Sequence, residues 1–106
     1  MNNSFSPRSN TVALVVGTTA SGVGLPAAAG VTAGSELPCL LTNTGANVIF
    51  CSVVGAATIP VAGTPTSSFP VLPNTTLIVM VAATAALSAI AAATGNTLYI
   101  TQGVLV

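Results

Sequence analysis

The run that decides the fold is Leu77-Ile-Val-Met-Val-Ala-Ala-Thr-Ala-Ala-Leu-Ser-Ala-Ile-Ala-Ala-Ala93. At about 17 residues it touches the lower limit for a helix that crosses a bilayer. A small membrane-active protein with a helix at 77–93 is therefore one reading. A pair of buried strands is the other, and three features favour it. No Lys or Arg flanks the run to set a topology, and no Trp or Tyr stands at its start. With its two preceding threonines, the first half, Thr75-Thr-Leu-Ile-Val-Met-Val81, is rich in the β-branched residues that suit a pleated, buried surface. The remaining chain is also strand-like, and a lone membrane helix would leave it nothing to pack against.

Working outward, strands are predicted over 11–16, 22–25, 36–42, 47–54, 58–62, 75–81, 86–92 and 96–102. Most of their starts lie roughly eight to twelve residues apart, with Gly, Pro and Asn at the breaks, which is the pattern of a sandwich or barrel. Residues 26–33 can form a short helical turn. The fold expected is all-β, an antiparallel β-sandwich of jelly-roll or Greek-key type with about eight short strands in two packed sheets. A flexible polar N-terminal arm, residues 1–10, precedes a single domain over 11–106.

Two segments invite closer reading. Thr42-Asn-Thr-Gly-Ala-Asn47 looks like a hairpin turn, with Gly45 free to take a positive φ. If the turn centres on Gly45, Cys39 faces Cys51 on one sheet face as a cross-strand pair. The pair is then either a disulfide or two small thiols filling core space, and a reducing cytoplasm favours the thiols. The second segment, residues 60–73, carries prolines at 60, 65, 70 and 73. Proline cannot donate to a ladder, so this is a crossover or an edge segment, with Phe69 and Leu72 as its expected core anchors. Pro70-Val-Leu-Pro73 fits a PxxP ligand but lacks a basic neighbour.

The side-chain inventory excludes most chemistry. The 106 residues hold one arginine, Arg8, one glutamate, Glu36, and neither lysine nor histidine; charged residues make up 2% and hydrophobic ones 52%. A single arginine cannot form the basic stripe that nucleic acid requires. One carboxylate cannot do paired acid–base work, and a Ser or Cys nucleophile would lack a His base. Two cysteines without histidine complete no zinc site, and Gly22-Val-Gly24 lacks the lysine of a phosphate loop. No catalytic residue, metal, cofactor or small-molecule substrate is expected, and the chain is not read as an enzyme. A formal charge of zero with a mean hydropathy of +0.93 instead favours association with other protein. The polar start and the short apolar run at 11–16 do not make a secretory signal, which points to synthesis in a reducing cytoplasm. Arg8, beside Pro7 in the arm, is either a solvated group or an anchor on a partner, a role in which arginine is enriched.

Taken in order, the Thr/Ala/Val-rich first strand, Leu40-Leu-Thr-Asn-Thr-Gly-Ala-Asn-Val-Ile-Phe50, Gly63-Thr-Pro-Thr-Ser-Ser-Phe-Pro-Val-Leu-Pro-Asn74 and Gly95-Asn-Thr-Leu-Tyr-Ile-Thr-Gln-Gly103 resemble the small β-sandwich virion proteins of tailed bacteriophages, capsid decoration or cement proteins among them. The resemblance spans about residues 11–103 and rests on turn and strand patterns. It implies a structural part made in the host cytoplasm and located at the capsid surface of the virion, bound to the major capsid protein or other virion subunits. A tail, fibre or head-spike component is the alternative within the same class. It also implies a homo-oligomer, with a trimer preferred to a dimer. The arm is expected to reach a neighbouring subunit through Asn2, Asn3, Phe5 and Arg8, with the tail from Gly103 as a second reaching segment.

Overall fold

The computed structural model describes residues 4–25, 35–82 and 85–105; the helical turn expected at 26–33 lies outside them. Among these residues there are nine strands and no helix: β1 (Phe5–Pro7), β2 (Val12–Val16), β3 (Ser21–Gly24), β4 (Glu36–Asn43), β5 (Ile49–Ser52), β6 (Phe69–Val71), β7 (Thr75–Ala82), β8 (Ala86–Ala91) and β9 (Asn96–Leu105). They form two antiparallel sheets, one ordered β3-β8-β5-β6 and the other β1-β9-β4-β7 with β2 also on β9. Successive strands change sheet from β2 to β5 and again from β6 to β9, which is the jelly-roll order. The run at 77–93 thus falls on β7 and β8, in opposite sheets, and no described helix is long and apolar enough to cross a membrane.

Period-two alternation builds the core. Cys39 and Leu41 from β4, Leu98 and Ile100 from β9 and Val81 from β7 face Ile49, Cys51, Val71, Leu87, Ala89 and Ala91 of the other sheet. Leu41, Ile49, Leu87, Leu98 and Ile100 are fully buried, each contributing about 1.5–3 kcal/mol. Alanine at 89 and 91 supplies little volume, so the larger core side chains fill the space beside β8.

The connection from β4 to β5 is not a hairpin. It is an arch between sheets: β4 pairs with β7 and β9, whereas β5 pairs with β6 and β8. Cys39 and Cys51 therefore meet across the core rather than across a ladder, both buried and both free thiols. Two buried asparagines make the arch. Asn43 Nδ2 donates to the carbonyls of Asn47 (2.8 Å) and Val71 (2.9 Å), and its Oδ1 accepts from the Gly45 N–H (2.8 Å). Asn96 Oδ1 accepts from the Asn47 N–H (3.3 Å) while its Nδ2 donates to the Ala93 carbonyl (2.8 Å). Gly45 is needed for close approach, not for a positive φ, because a Cβ there would stand 2.8 Å from Asn96 Cβ.

The strand expected at 58–62 does not form. Pro60 and Pro65 bracket a tight turn closed by the isolated bridge between Val61 and Thr64, with Gly63 at φ 81°. In its place the short edge strand β6 pairs with β5 in the register Ile49↔Val71 and Cys51↔Phe69. That register turns Phe69 and Val71 inward and leaves Leu72 exposed at 55%, so Val71, not Leu72, is the second anchor.

Residues 5–7, expected within the flexible arm, pair with Gly103–Leu105 of β9. Beyond them the four residues 8–11 oppose only Thr101 and Gln102, since Pro7 pairs with Gly103 and Val12 with Ile100. The resulting bulge is satisfied locally. Arg8 and Ser9 both donate their N–H to the Gln102 carbonyl (2.9 and 3.2 Å), and Ser9 Oγ accepts from the Gln102 N–H (3.1 Å). Gly103 permits this docking: a Cβ there would collide with the Ser6 carbonyl and lie 2.7 Å from Phe5 Cζ. Gly103→Val is therefore expected to release residues 5–7 while the sandwich stays folded. Amide exchange would show this as lost protection at Phe5 and Ser6 and at their partners on the end of β9, and retained protection there would mean that the β1 backbone shifts to admit the side chain while staying paired.

Candidate interaction surface

The two outer faces of the sandwich differ. The face of the β3-β8-β5-β6 sheet is covered by the chain itself, where residues 53–68 fold back over it. Ala57, fully buried, donates its N–H to Ser88 Oγ (2.9 Å), and Ser52 Oγ bonds Ser67 Oγ (3.0 Å) and accepts from the Val54 N–H (3.1 Å). Ser52 and Ser88 are themselves paired neighbours on β5 and β8, so two serines on the sheet hold its cover in place.

The other face is open among the described residues along its β2 and β7 sides and at Tyr99, whereas Pro38 and Thr101 within it are buried. Ladder register places its side chains in rows. Ala13, Tyr99, Thr42 and Thr76 lie side by side, as do Thr101, Leu40 and Ile78, with Val15 beside Thr97 and Pro38 beside Met80. Val15 is 70% exposed, Met80 57%, Ile78 42% and Tyr99 41%. The threonines pair through their hydroxyls, Thr11 with Thr101 at 2.6 Å and Thr42 with Thr76 at 3.2 Å. Glu36, exposed and paired with Ala82, continues the β4 row past Pro38 and puts one charge at that end of the face; the other rows are uncharged and carry tyrosine and methionine, the residue types enriched where proteins meet. Isolated exposed apolar residues are ordinary; a connected apolar sheet face with a single charge at one end is not.

At the β7 border the face runs into a groove of about 350 Å³ lined by Pro70, Val71, Leu72, Thr75, Thr76 and Leu77. No lining group is charged, so the groove offers shape and apolar contact and nothing for an ionic ligand. Among the described residues no three of His, Cys, Asp or Glu come together in a way that could hold a metal ion.

Of the contact residues expected from sequence, Asn2 and Asn3 lie outside the described residues. Phe5 is half-buried on β9, its ring against Gly103, and thus engaged within its own chain. Arg8 is exposed in the bulge beside Gln102. The face formed by Ala13, Val15, Thr42, Thr76, Ile78, Met80 and Tyr99 was not anticipated. Its signal lay in 75–82, where neither of the two alternating sets of residues is polar throughout, although one face of an outer strand normally meets water. Comparison with protein-family models, with curated proteins and with solved structures finds no match to this chain.

Proposed function

We propose that this chain is a structural virion subunit of a tailed bacteriophage, a decoration or cement protein that binds the assembled head and stabilises it through non-ionic contacts. Jelly rolls host many unrelated functions, so the fold does not choose among them. The observation that carries the reading is the open face of the five-stranded sheet, whose one charge is Glu36 at the end of β4, in a chain whose other formal charge is Arg8. Such a surface is suited to being covered by protein, and the resemblance to small virion sandwiches supplies the particle. A cement protein acts by mass action: it binds the assembled shell in preference to free subunits and raises the shell's stability accordingly. The major capsid protein is its proposed partner and the capsid surface its place, with many copies per particle.

The test is retention on purified particles. Occupancy is expected to change little between about 0.05 and about 1 M salt, because screening has only the Glu36 carboxylate to act on at this surface. Tyr99→Asp, at the centre of the open face, is expected to reduce occupancy at least tenfold, since it would bury an unpaired carboxylate. Steep salt-induced release would sink the non-ionic mechanism. A handful of copies per particle would move the protein to a tail or spike position.

A further inference from the structure

Sheet borders need protection, because unpaired N–H and C=O groups invite another strand. Three of the four borders here have it. β6 is three residues long with Pro70 at its centre, and β3 is four residues long with glycine at 22 and 24. The β1–β2 border is interrupted by Pro7 and by the bulge at 8–11. The fourth, β7, has none of these devices. It pairs with β4 over eight consecutive residues without a bulge, from Asn43↔Thr75 to Glu36↔Ala82. Its sequence, Thr-Thr-Leu-Ile-Val-Met-Val-Ala, contains no charge, proline or glycine. Among the described residues no strand lies on its far side. Every second residue of an antiparallel edge turns its backbone N–H and C=O outward, so β7 presents an extended, ready ladder.

We propose that β7 is the docking edge for a second copy of this chain, the two β7 strands running antiparallel about a twofold axis so that two five-stranded sheets join into one. Antiparallel self-pairing is what an isologous contact between identical edges requires. Both partners are uncharged along the whole edge, so no like charges oppose each other, whereas a charged peptide would find no complement there. With the axis near Ile78, that side chain meets its own copy and Thr76 stands beside Met80 of the second chain. Leu72, Leu77, Ile78 and Met80 are all exposed at this border. They leave on the order of 400 Å² per copy in water, and edge pairing covers the flanks of these side chains beside the shared backbone ladder, a contact at the small end of specific interfaces. An isologous contact closes at two copies, which replaces the trimer expected from resemblance. The pairing does not depend on the virion reading: the mass of the isolated chain tests one, and copy number on particles tests the other.

The experiment is the mass of the full chain in solution, by sedimentation or native mass spectrometry. Wild type is expected at twice 10.2 kDa. Ile78→Lys brings two ammonium groups together at the axis and is expected to halve the mass. Val15→Lys, on the same sheet face but at the opposite border, is expected to leave the pair intact. Continued protection of Cys39 and Cys51 from thiol reagents shows that each variant is folded. If Ile78→Lys does not fold, Thr76→Lys, exposed at the same edge, takes its place. A single-copy or three-copy wild type, a folded edge variant that stays paired, or dissociation by Val15→Lys would each overturn the proposal.

Discussion

Asn43→Ala is expected to remove roughly 3 kcal/mol of stability, because it orphans three backbone groups at once. The side chain is fully buried at the end of β4 and serves the Asn47 and Val71 carbonyls and the Gly45 N–H. Val71 belongs to the opposite sheet, so the same amide holds the arch and fastens the two sheets. Each orphaned buried group costs about 1–3 kcal/mol, and water reaching the half-exposed arch recovers part of that. For a domain of this size the loss corresponds to a fall in Tm on the order of 10–20 °C. Urea unfolding of wild type and variant measures it directly. A loss below about 1 kcal/mol would mean that solvent replaces the amide freely and that the arch is held by Asn96 instead. Asn43→Asp is a useful second variant. It keeps the acceptor toward Gly45 but turns a carboxylate toward two carbonyls, so its deficit should shrink as pH falls and the acid protonates.

Stability is expected to fall steeply above about pH 9, through the two core thiols. Burial pushes Cys39 from 9.0 up to about 11. Burial, reinforced by the charge of Cys39 when ionised, pushes Cys51 up to about 12. Below pH 9 both thiols are protonated in folded and unfolded chains, and they contribute no pH dependence. Above it the unfolded chain ionises while the folded chain holds its protons. Stability then declines by about 1.4 kcal/mol per pH unit for each thiol until the folded-state value is passed. Unfolding free energies at about pH 8, 9.5 and 10.5 test this, with Cys51→Ala expected to remove about half of the slope. Thiol titration belongs to the same experiment: neither cysteine should react in the native protein and both should react after unfolding. A slope unaffected by Cys51→Ala would place the alkaline sensitivity elsewhere.

Much of the architecture was legible because it depends on local period and punctuation. Apolar runs of strand length, most of them bounded by Gly, Pro or Asn, place β2, β4, β7, β8 and β9 to within a few residues, as strands at 12–16, 36–43, 75–82, 86–91 and 96–105. The sequence pattern fails where a distant residue decides. Thr42-Asn-Thr-Gly-Ala-Asn47 suits a hairpin and an arch equally well. The choice falls to Asn96, some fifty positions later, which receives the Asn47 N–H. The cysteine pairing across a ladder followed from the hairpin and failed with it. Residues 5–7 look like a polar arm because three residues carry almost no pattern; their place depends on Gly103 leaving room. The open face was hidden for a further reason. Whether an outward residue meets water depends on where a remote loop lies, and residues 53–68 cover one sheet and not the other.

The placement of β9 has a consequence for how the chain comes into being on the ribosome. β9 lies between β2 and β4 and also receives β1, so three strands acquire their shared neighbour only when residues 96–105 emerge. β4 is complete roughly 60 residues earlier, which at 5–20 residues per second is a wait of several seconds. Throughout that interval apolar edges stand open on a nascent chain with almost no charge to keep copies apart. Dense translation on one message would bring such chains side by side, so the last ten residues of the fold also govern how long the chain is exposed to premature pairing.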